Sequence, residues 1–159
     1  MTYVGIDPGK SGGIAIIRED GSVSVAHFDE FEYRTLISCI DTKPSQTVVF
    51  VESVHAFSGQ GVSSTFNFGK NFGWILGLLF AYGLEVTLVT PQCWKRHFGL
   101  ILGHEKSKDD KKAESIKKAK ELFPTVSFRR TCRCKTDDDG MAEALLIAEY
   151  GRAKTKIAY

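Results

Sequence analysis

The apolar positions of this chain change period along its length. Residues 3–6, Tyr-Val-Gly-Ile, form an apolar run that ends at Asp7 and is broken by Pro8-Gly9, which predicts a short buried strand. Residues 13–17 predict a second strand running into the turn Glu19-Asp20-Gly21. Residues 23–28 alternate apolar and small side chains and predict a third strand, paired back on the second as a hairpin. Residues 31–40 have helical spacing, with Phe31, Leu36, Ile37 and Ile40 as the buried set, and Pro44 closes that unit. Thr47-Val48-Val49-Phe50-Val51 is the strongest strand signal, a β-branched run ending in Glu52, and residues 53–62 follow as a loop.

Beyond that loop the spacing becomes helical. Residues 63–82 read as a long helix that is apolar nearly all round, so it should be buried or covered by a partner. Gly69, Gly73 and Gly77 recur on one of its faces, where they would let another helix or the sheet approach closely. Residues 84–89 predict a fifth strand, and Pro91 opens a short helix carrying Trp94, Lys95 and Phe98. Residues 108–123 predict an amphipathic helix with Ala113, Ile116, Ala119 and Leu122 inward and lysines outward, ended by Pro124. A last helix covers residues 138–151. Three antiparallel-type strands, then helix, strand, helix, strand and helices, predict an α/β fold. Its sheet is mixed and five-stranded with helices on both faces, and one domain spans residues 1–159.

Composition narrows the class. With 159 residues, 43% hydrophobic and 25% charged, the chain can bury a core without staples, which excludes disorder, collagen and coiled coil. The apolar charge-free stretch of residues 71–84 is shorter than the roughly 18–20 apolar residues that cross a bilayer, so no membrane partner is expected. Met1 leads directly into the first strand without a basic and apolar leader, so a cytoplasmic protein is expected, and its four cysteines should be reduced thiols. Charge is uneven: residues 91–135 carry 13 Lys and Arg against 5 Asp and Glu, a net +8, while the remainder is −6. A basic segment beside acidic ones suits an anionic polymer meeting a carboxylate cluster, although a solvated lysine-rich helix face has the same composition.

The carboxylates give that pattern a chemistry. Asp7 and Glu52 each end a predicted buried strand, where a charge is costly without a compensating cation. If the strands are neighbours, the two acids lie side by side and call for a metal ion. Asp139 and Glu143 lie one turn apart on the last helix, projecting roughly 40° apart, while Asp138 points about 140° away. Four acids from three segments make an oxygen cage suited to Mg²⁺, with Mn²⁺ as a substitute, and two such ions can clamp the attacking and leaving oxygens of a phosphodiester. Each acid also has a plain structural alternative. Asp7 can cap the Pro8-Gly9 turn, Glu52 can pair with a lysine, Asp139 and Glu143 can be an ordinary acidic helix start, and Asp139 can form a capping box with Thr136 as the N-cap.

The same residues carry a resemblance. Gly5-Ile6-Asp7-Pro8-Gly9, Gly12-Gly13, Val51-Glu52-Ser53-Val54 and Asp139-Gly140-Met141-Ala142-Glu143-Ala144-Leu145 together resemble the RuvC family of Holliday-junction resolvases, within the ribonuclease H-like superfamily. The stretches Phe66-Asn67-Phe68-Gly69 and Pro91-Gln92-Cys93-Trp94-Lys95 look most like the short RuvC-like endonucleases of phages and prophages. The last acid pair is Asp-x-x-x-Glu here, where cellular members have Asp-x-x-Asp. The resemblance implies a homodimeric, Mg²⁺-dependent endonuclease of four-way or otherwise branched DNA, leaving 5′-phosphate and 3′-hydroxyl ends, with Asp7, Glu52, Asp139 and Glu143 as metal ligands. Lys95 and Lys111 resemble family lysines near the scissile phosphate, where they would stabilise developing charge. His55 or Phe57, in the loop after Glu52, would wedge into the junction centre by stacking on unpaired bases. Lys70, Lys106, Lys108 and Lys112 complete the expected DNA-contacting set.

Other chemistries fit less well. Gly9-Lys10-Ser11 lacks the earlier glycine of a nucleotide phosphate loop, Val4 standing there, so no nucleotide cofactor is expected. Cys132 and Cys134 supply only two thiolates without zinc-ligand spacing around them. Two rival functions remain. One is a non-catalytic branched-DNA-binding protein of the same fold. The other is a phosphotransferase of the sugar-kinase and actin superfamily, whose architecture needs two such domains and is opposed by the length.

Overall fold

The computed structural model describes residues 1–9, 11–28, 44–53, 61–100 and 107–157. Five strands form one mixed sheet: β1 (Thr2–Asp7), β2 (Gly12–Ile17), β3 (Val23–Phe28), β4 (Thr47–Glu52) and β5 (Glu85–Val89). Their order is β3-β2-β1-β4-β5. β1, β2 and β3 pair antiparallel, as the two tight connections require, and β4 and β5 add in parallel to β1. The helices among the described residues are α1 (Val62–Ala81), α2 (Pro91–His97), α3 (Lys108–Leu122) and α4 (Asp139–Ile157). A short 3₁₀ turn, Pro44–Gln46, precedes β4. The α/β fold, the mixed five-stranded sheet and the helices on both faces all agree with the sequence pattern. The predicted helix over residues 31–40 lies outside the described residues, as do His55, Phe57 and Lys106.

Period-two alternation divides the strand residues between two cores. Val4, Ile6, Ile14, Ile16, Val49 and Val51 face α1 and pack with its Ile75 and Leu79. Tyr3, Ala15, Ile17 and Phe50 face the other way, toward Ala144, Leu145 and Ala148 of α4, with α3 behind. That second face is tightly built. A Cβ on Gly5 would lie 2.1 Å from the Ala144 carbonyl oxygen, and one on Gly151 would lie 2.2 Å from the Phe50 ring. Small residues therefore let α4 lie almost directly on β1 and β4.

Several finer expectations are corrected. On α3, Ala113 is exposed and Leu122 is 45% exposed; the buried stripe is Ser115 and Ala119, so the apolar face is rotated by a fraction of a turn. On α1, Gly69, Gly73 and Gly77 meet nothing within 4 Å among the described residues, so they do not admit a neighbouring helix or the sheet within this chain. Only Asn71, Ile75 and Leu79 of α1 are buried, and Phe66, Trp74 and Phe80 are 69%, 52% and 75% exposed. The last helix starts at Asp139 rather than Asp138 and continues to Ile157.

Candidate active site

β1 and β4 run parallel and in register through Ile6 and Val51. One step further on, Asp7 and Glu52 come side by side. Both share the parity of Gly5 and Phe50, so both point to the α4 face of the sheet. α4 begins above the same end, bringing Asp139 and Glu143 of its first two turns to the two strand acids. Gly13 and Gly140 set how close that start can come. A Cβ on Gly140 would sit 2.2 Å from the Ser11 carbonyl oxygen, and one on Gly13 would sit 2.6 Å from that of Gly140.

Asp7 keeps a partly exposed edge, but protein surrounds its carboxyl closely. Burial, the negative charges of Glu52 and Glu143 and, to a lesser degree, that of Asp139 hold it well above the usual carboxylate range. The opposing contribution is the Gly9 N–H, which donates to Oδ1 at 3.0 Å. Asp7 thus also caps its own turn. Glu52 is raised as well, first by burial and then by Glu143, against the lowering effects of Trp94 and Lys95. The indole Nε1 of the fully buried Trp94 donates to Glu52 Oε1 at 2.9 Å.

The outer acids are held by cations and a hydroxyl. Lys95 Nζ lies 3.2 Å from Glu143 Oε1, which also accepts from Ser115 Oγ at 2.8 Å. Lys112 Nζ lies 2.7 Å from Asp139 Oδ2, and that contact raises the lysine's pKa. Lys111 is exposed one position away, its backbone N–H bonded to the Ser107 carbonyl. Lys70 sits on α1 with its ammonium 5.1 Å from the Trp74 ring centroid. Lys108 opens α3 behind the Ser107 capping box.

Among the described residues, no three His, Cys, Asp or Glu side chains are gathered closely enough to hold a metal ion as they stand. The donor set nevertheless suits a hard divalent cation. It consists of carboxylate oxygens, and at its centre is an acid destabilised in its charged form by three other acids.

Sequence patterning did not single out Trp94 as the partner of Glu52, Ser115 as the partner of Glu143, or the part played by Asp138. Asp138, 5% exposed, is the N-cap of α4, accepting from Met141 N at 2.9 Å through Oδ1. Asp138 thus takes the capping role that Thr136 offered as the structural alternative for Asp139. An aspartate three residues before Met141, where the apolar run of the last helix begins, was the available signal.

No family model and no curated protein matches the sequence. Solved structures do resemble its fold. A Thermus thermophilus RuvC structure superposes with a TM-score of 0.60 at 16% identity, covering 99% of this chain and 97% of that one. The T. thermophilus RuvC in complex with a Holliday junction substrate gives 0.61 at 14% identity, covering 99% and 96%. The yeast mitochondrial Holliday junction resolvase gives 0.52 at 16% identity, covering 92% and 75%. At these identities the likeness establishes the fold alone, an architecture shared with these resolvases over essentially the full chain.

Proposed function

We propose that residues 1–159 form one nuclease domain that cuts four-way or other branched DNA in a divalent-metal-dependent reaction, in the service of recombination or repair. The observation that carries this reading is the convergence of Asp7, Glu52, Asp139 and Glu143, from two parallel strands and one helix, at one end of a sheet shared with RuvC-type resolvases. These four acids would hold Mg²⁺ or Mn²⁺, which would supply charge stabilisation on both sides of the phosphorus during in-line hydrolysis. The chain's own groups do the rest. Gly9 and Trp94 fix the orientations of Asp7 and Glu52 through one hydrogen bond each. Lys95 and Lys112 neutralise the outer acids and lie where an approaching phosphate would exchange for a carboxylate partner. Lys111, Lys108 and Lys106, with His55 or Phe57 as junction wedge, complete the proposed DNA surface, whereas Lys70, expected there too, sits over Trp74 on the α1 face proposed below as the contact between copies.

A junction has paired arms, so two cuts related by a two-fold axis call for a homodimer. The exposed aromatic face of α1, with Phe66, Trp74 and Phe80, is the proposed contact between copies, continuous with the small-residue stripe that nothing else covers among the described residues.

The test is cleavage of an end-labelled four-way junction in Mg²⁺. Asp7→Asn and Glu52→Gln should abolish cutting while junction binding survives, and normal cleavage by either would remove the site assignment. A second reading, a branched-DNA-binding protein without catalysis, is favoured by the lysine-held state of Glu143 and Asp139 and by the lack of a closed ligand group among the described residues. Junction binding by the wild type with no cleavage in either Mg²⁺ or Mn²⁺ would select it.

A further inference from the structure

The buried carboxylate of Asp138 immediately precedes Asp139, one of the proposed metal acids, in the chain. Its two oxygens are divided between different tasks. Oδ1 accepts the Met141 N–H and, with the Asp138 carbonyl taking the Ala142 N–H at 3.3 Å, fixes the first turn of α4. Oδ2 is hydrogen-bonded and ion-paired to Arg130 Nε. His27 of β3 faces the same oxygen, its buried Nδ1 3.4 Å away and without a hydrogen bond among the described residues. The Asp138 N–H is also taken, donating to the Phe128 carbonyl at 2.7 Å. One residue therefore ties the segment after α3 to the start of α4, with the edge strand's His27 beside it, and the next residue in the chain is Asp139.

We infer that Asp138, clamped by Arg130 and flanked by His27, is a positioning residue that sets the direction of Asp139 and Glu143 at the metal site. This rests on the nuclease reading above. A helix start held by its cap alone can still rotate about its axis or slide along the sheet. A carboxylate tied at its second oxygen to a different segment removes that freedom. Residues that orient metal ligands from outside the ligand set typically change metal affinity or activity by about 10–100-fold. Asp138 belongs in that class and not among the ligands, because its two oxygens are already engaged by the Met141 N–H and by Arg130.

Three substitutions separate the roles. Asp138→Asn keeps a cap acceptor of equal quality and loses the charge that holds Arg130. Asp138→Ala loses both. Arg130→Gln changes a side chain that is 45% exposed and leaves the cap in place. Each is measured for Mn²⁺ affinity by electron paramagnetic resonance of free Mn²⁺ without DNA, for kcat and KM on a four-way junction, and for thermal melting. The expected result is a graded weakening of Mn²⁺ binding, about tenfold for Asp138→Asn and Arg130→Gln and more for Asp138→Ala. A parallel fall in kcat should accompany it, with KM unchanged. Ile75→Val, which loosens the opposite core, should lower the melting temperature and leave Mn²⁺ affinity alone.

Wild-type Mn²⁺ affinity and kcat in both Asp138→Asn and Arg130→Gln would overturn the inference while leaving the nuclease reading intact. Loss of Mn²⁺ binding in Asp138→Asn as complete as in Asp139→Asn would overturn it in the other direction, by making Asp138 a ligand. If Asp138→Ala does not fold, the other two variants decide. A wild-type protein that neither binds Mn²⁺ nor cuts would remove the nuclease reading, and this inference with it.

Discussion

Gly140→Ala perturbs the site without touching an acid. Gly140 is the second residue of α4, and a Cβ there would lie 2.2 Å from the Ser11 carbonyl oxygen and 3.0 and 3.1 Å from the Gly12 carbonyl carbon and Cα. All three are backbone atoms, one in the turn after β1 and two in the first residue of β2, so no rotamer change relieves the clash. Restoring contact distance requires the start of α4 to withdraw by about 1 Å, which carries Asp139 away from Asp7; a displacement of that size at a reacting centre costs about 10²-fold in rate. Stability should fall less. Overpacking of this kind costs about 1–3 kcal/mol, and alanine regains up to about 1 kcal/mol of helix preference over glycine. The expected outcome is a folded protein, melting a few degrees lower, that binds a four-way junction with wild-type affinity and cuts it about a hundredfold more slowly. Single-turnover cleavage in Mg²⁺, gel-shift titration and thermal melting read the three quantities. Wild-type cleavage by a folded Gly140→Ala protein would refute the idea that this close approach sets the acid geometry.

Four further outcomes follow from the same contacts. Asp7 has a folded-state pKa raised above its ordinary 3.8, so its contribution to stability is lost as pH rises from that value through the folded pKa; in chelator, Asp7→Asn should therefore melt above wild type at neutral pH, with the difference vanishing in acid. Trp94→Phe keeps a ring in the core but removes the donor to Glu52, which should cost about 1–3 kcal/mol in denaturant melts and slow cleavage more than it weakens junction binding. Phe80→Glu places a charge on the exposed face of α1 and should shift the light-scattering mass from dimer to monomer at micromolar protein, with little change in monomer stability. Lys95, Lys111 and Lys112, replaced singly by alanine, should each lower the slope of log affinity against log salt by about 0.9 if they contact a duplex phosphate, and unchanged slopes for all three would place the DNA elsewhere.

The parts of this architecture that were legible in the sequence are those governed by local period and by chain breaks. The β-branched run before Glu52 and the apolar run before Asp7 announced two buried strands, and parallel pairing in register then brought their terminal acids together. Asp139 and Glu143 were legible as a pair because four residues return to nearly the same helix face. What sequence reading missed depends on which side chains meet across the fold. Trp94 and Glu52 are 42 residues apart, and Ser115 and Glu143 are 28 apart; no period links them. The apolar stripe of α3 was misplaced because Ser115, a polar residue, is buried by its bond to Glu143, while Ala113 and Leu122 are left outside. The three-aspartate run concealed the cap for a related reason. Asp137, Asp138 and Asp139 are chemically identical, and only their tertiary partners, Lys120, Arg130 and Lys112 respectively, tell them apart.

Those three partners show how one short acidic run serves three purposes. Asp137, paired with Lys120, ties the segment before α4 to α3. Asp138 turns inward and closes the helix start. Asp139, paired with the exposed Lys112, lies nearest the strand acids and is held by a lysine that solvent and phosphate can both reach. The energetic burden is correspondingly unequal. A buried carboxylate is tolerated where it meets a cation and an N–H, as at Asp138, and is costly where it meets other carboxylates, as at Asp7. A fold selected only for stability would gain by replacing Asp7 with an apolar residue, continuing the run that ends at Ile6. Keeping an acid there, opposite Glu52 and beneath Asp139 and Glu143, has a physical rationale when a cation and a phosphate enter the same space.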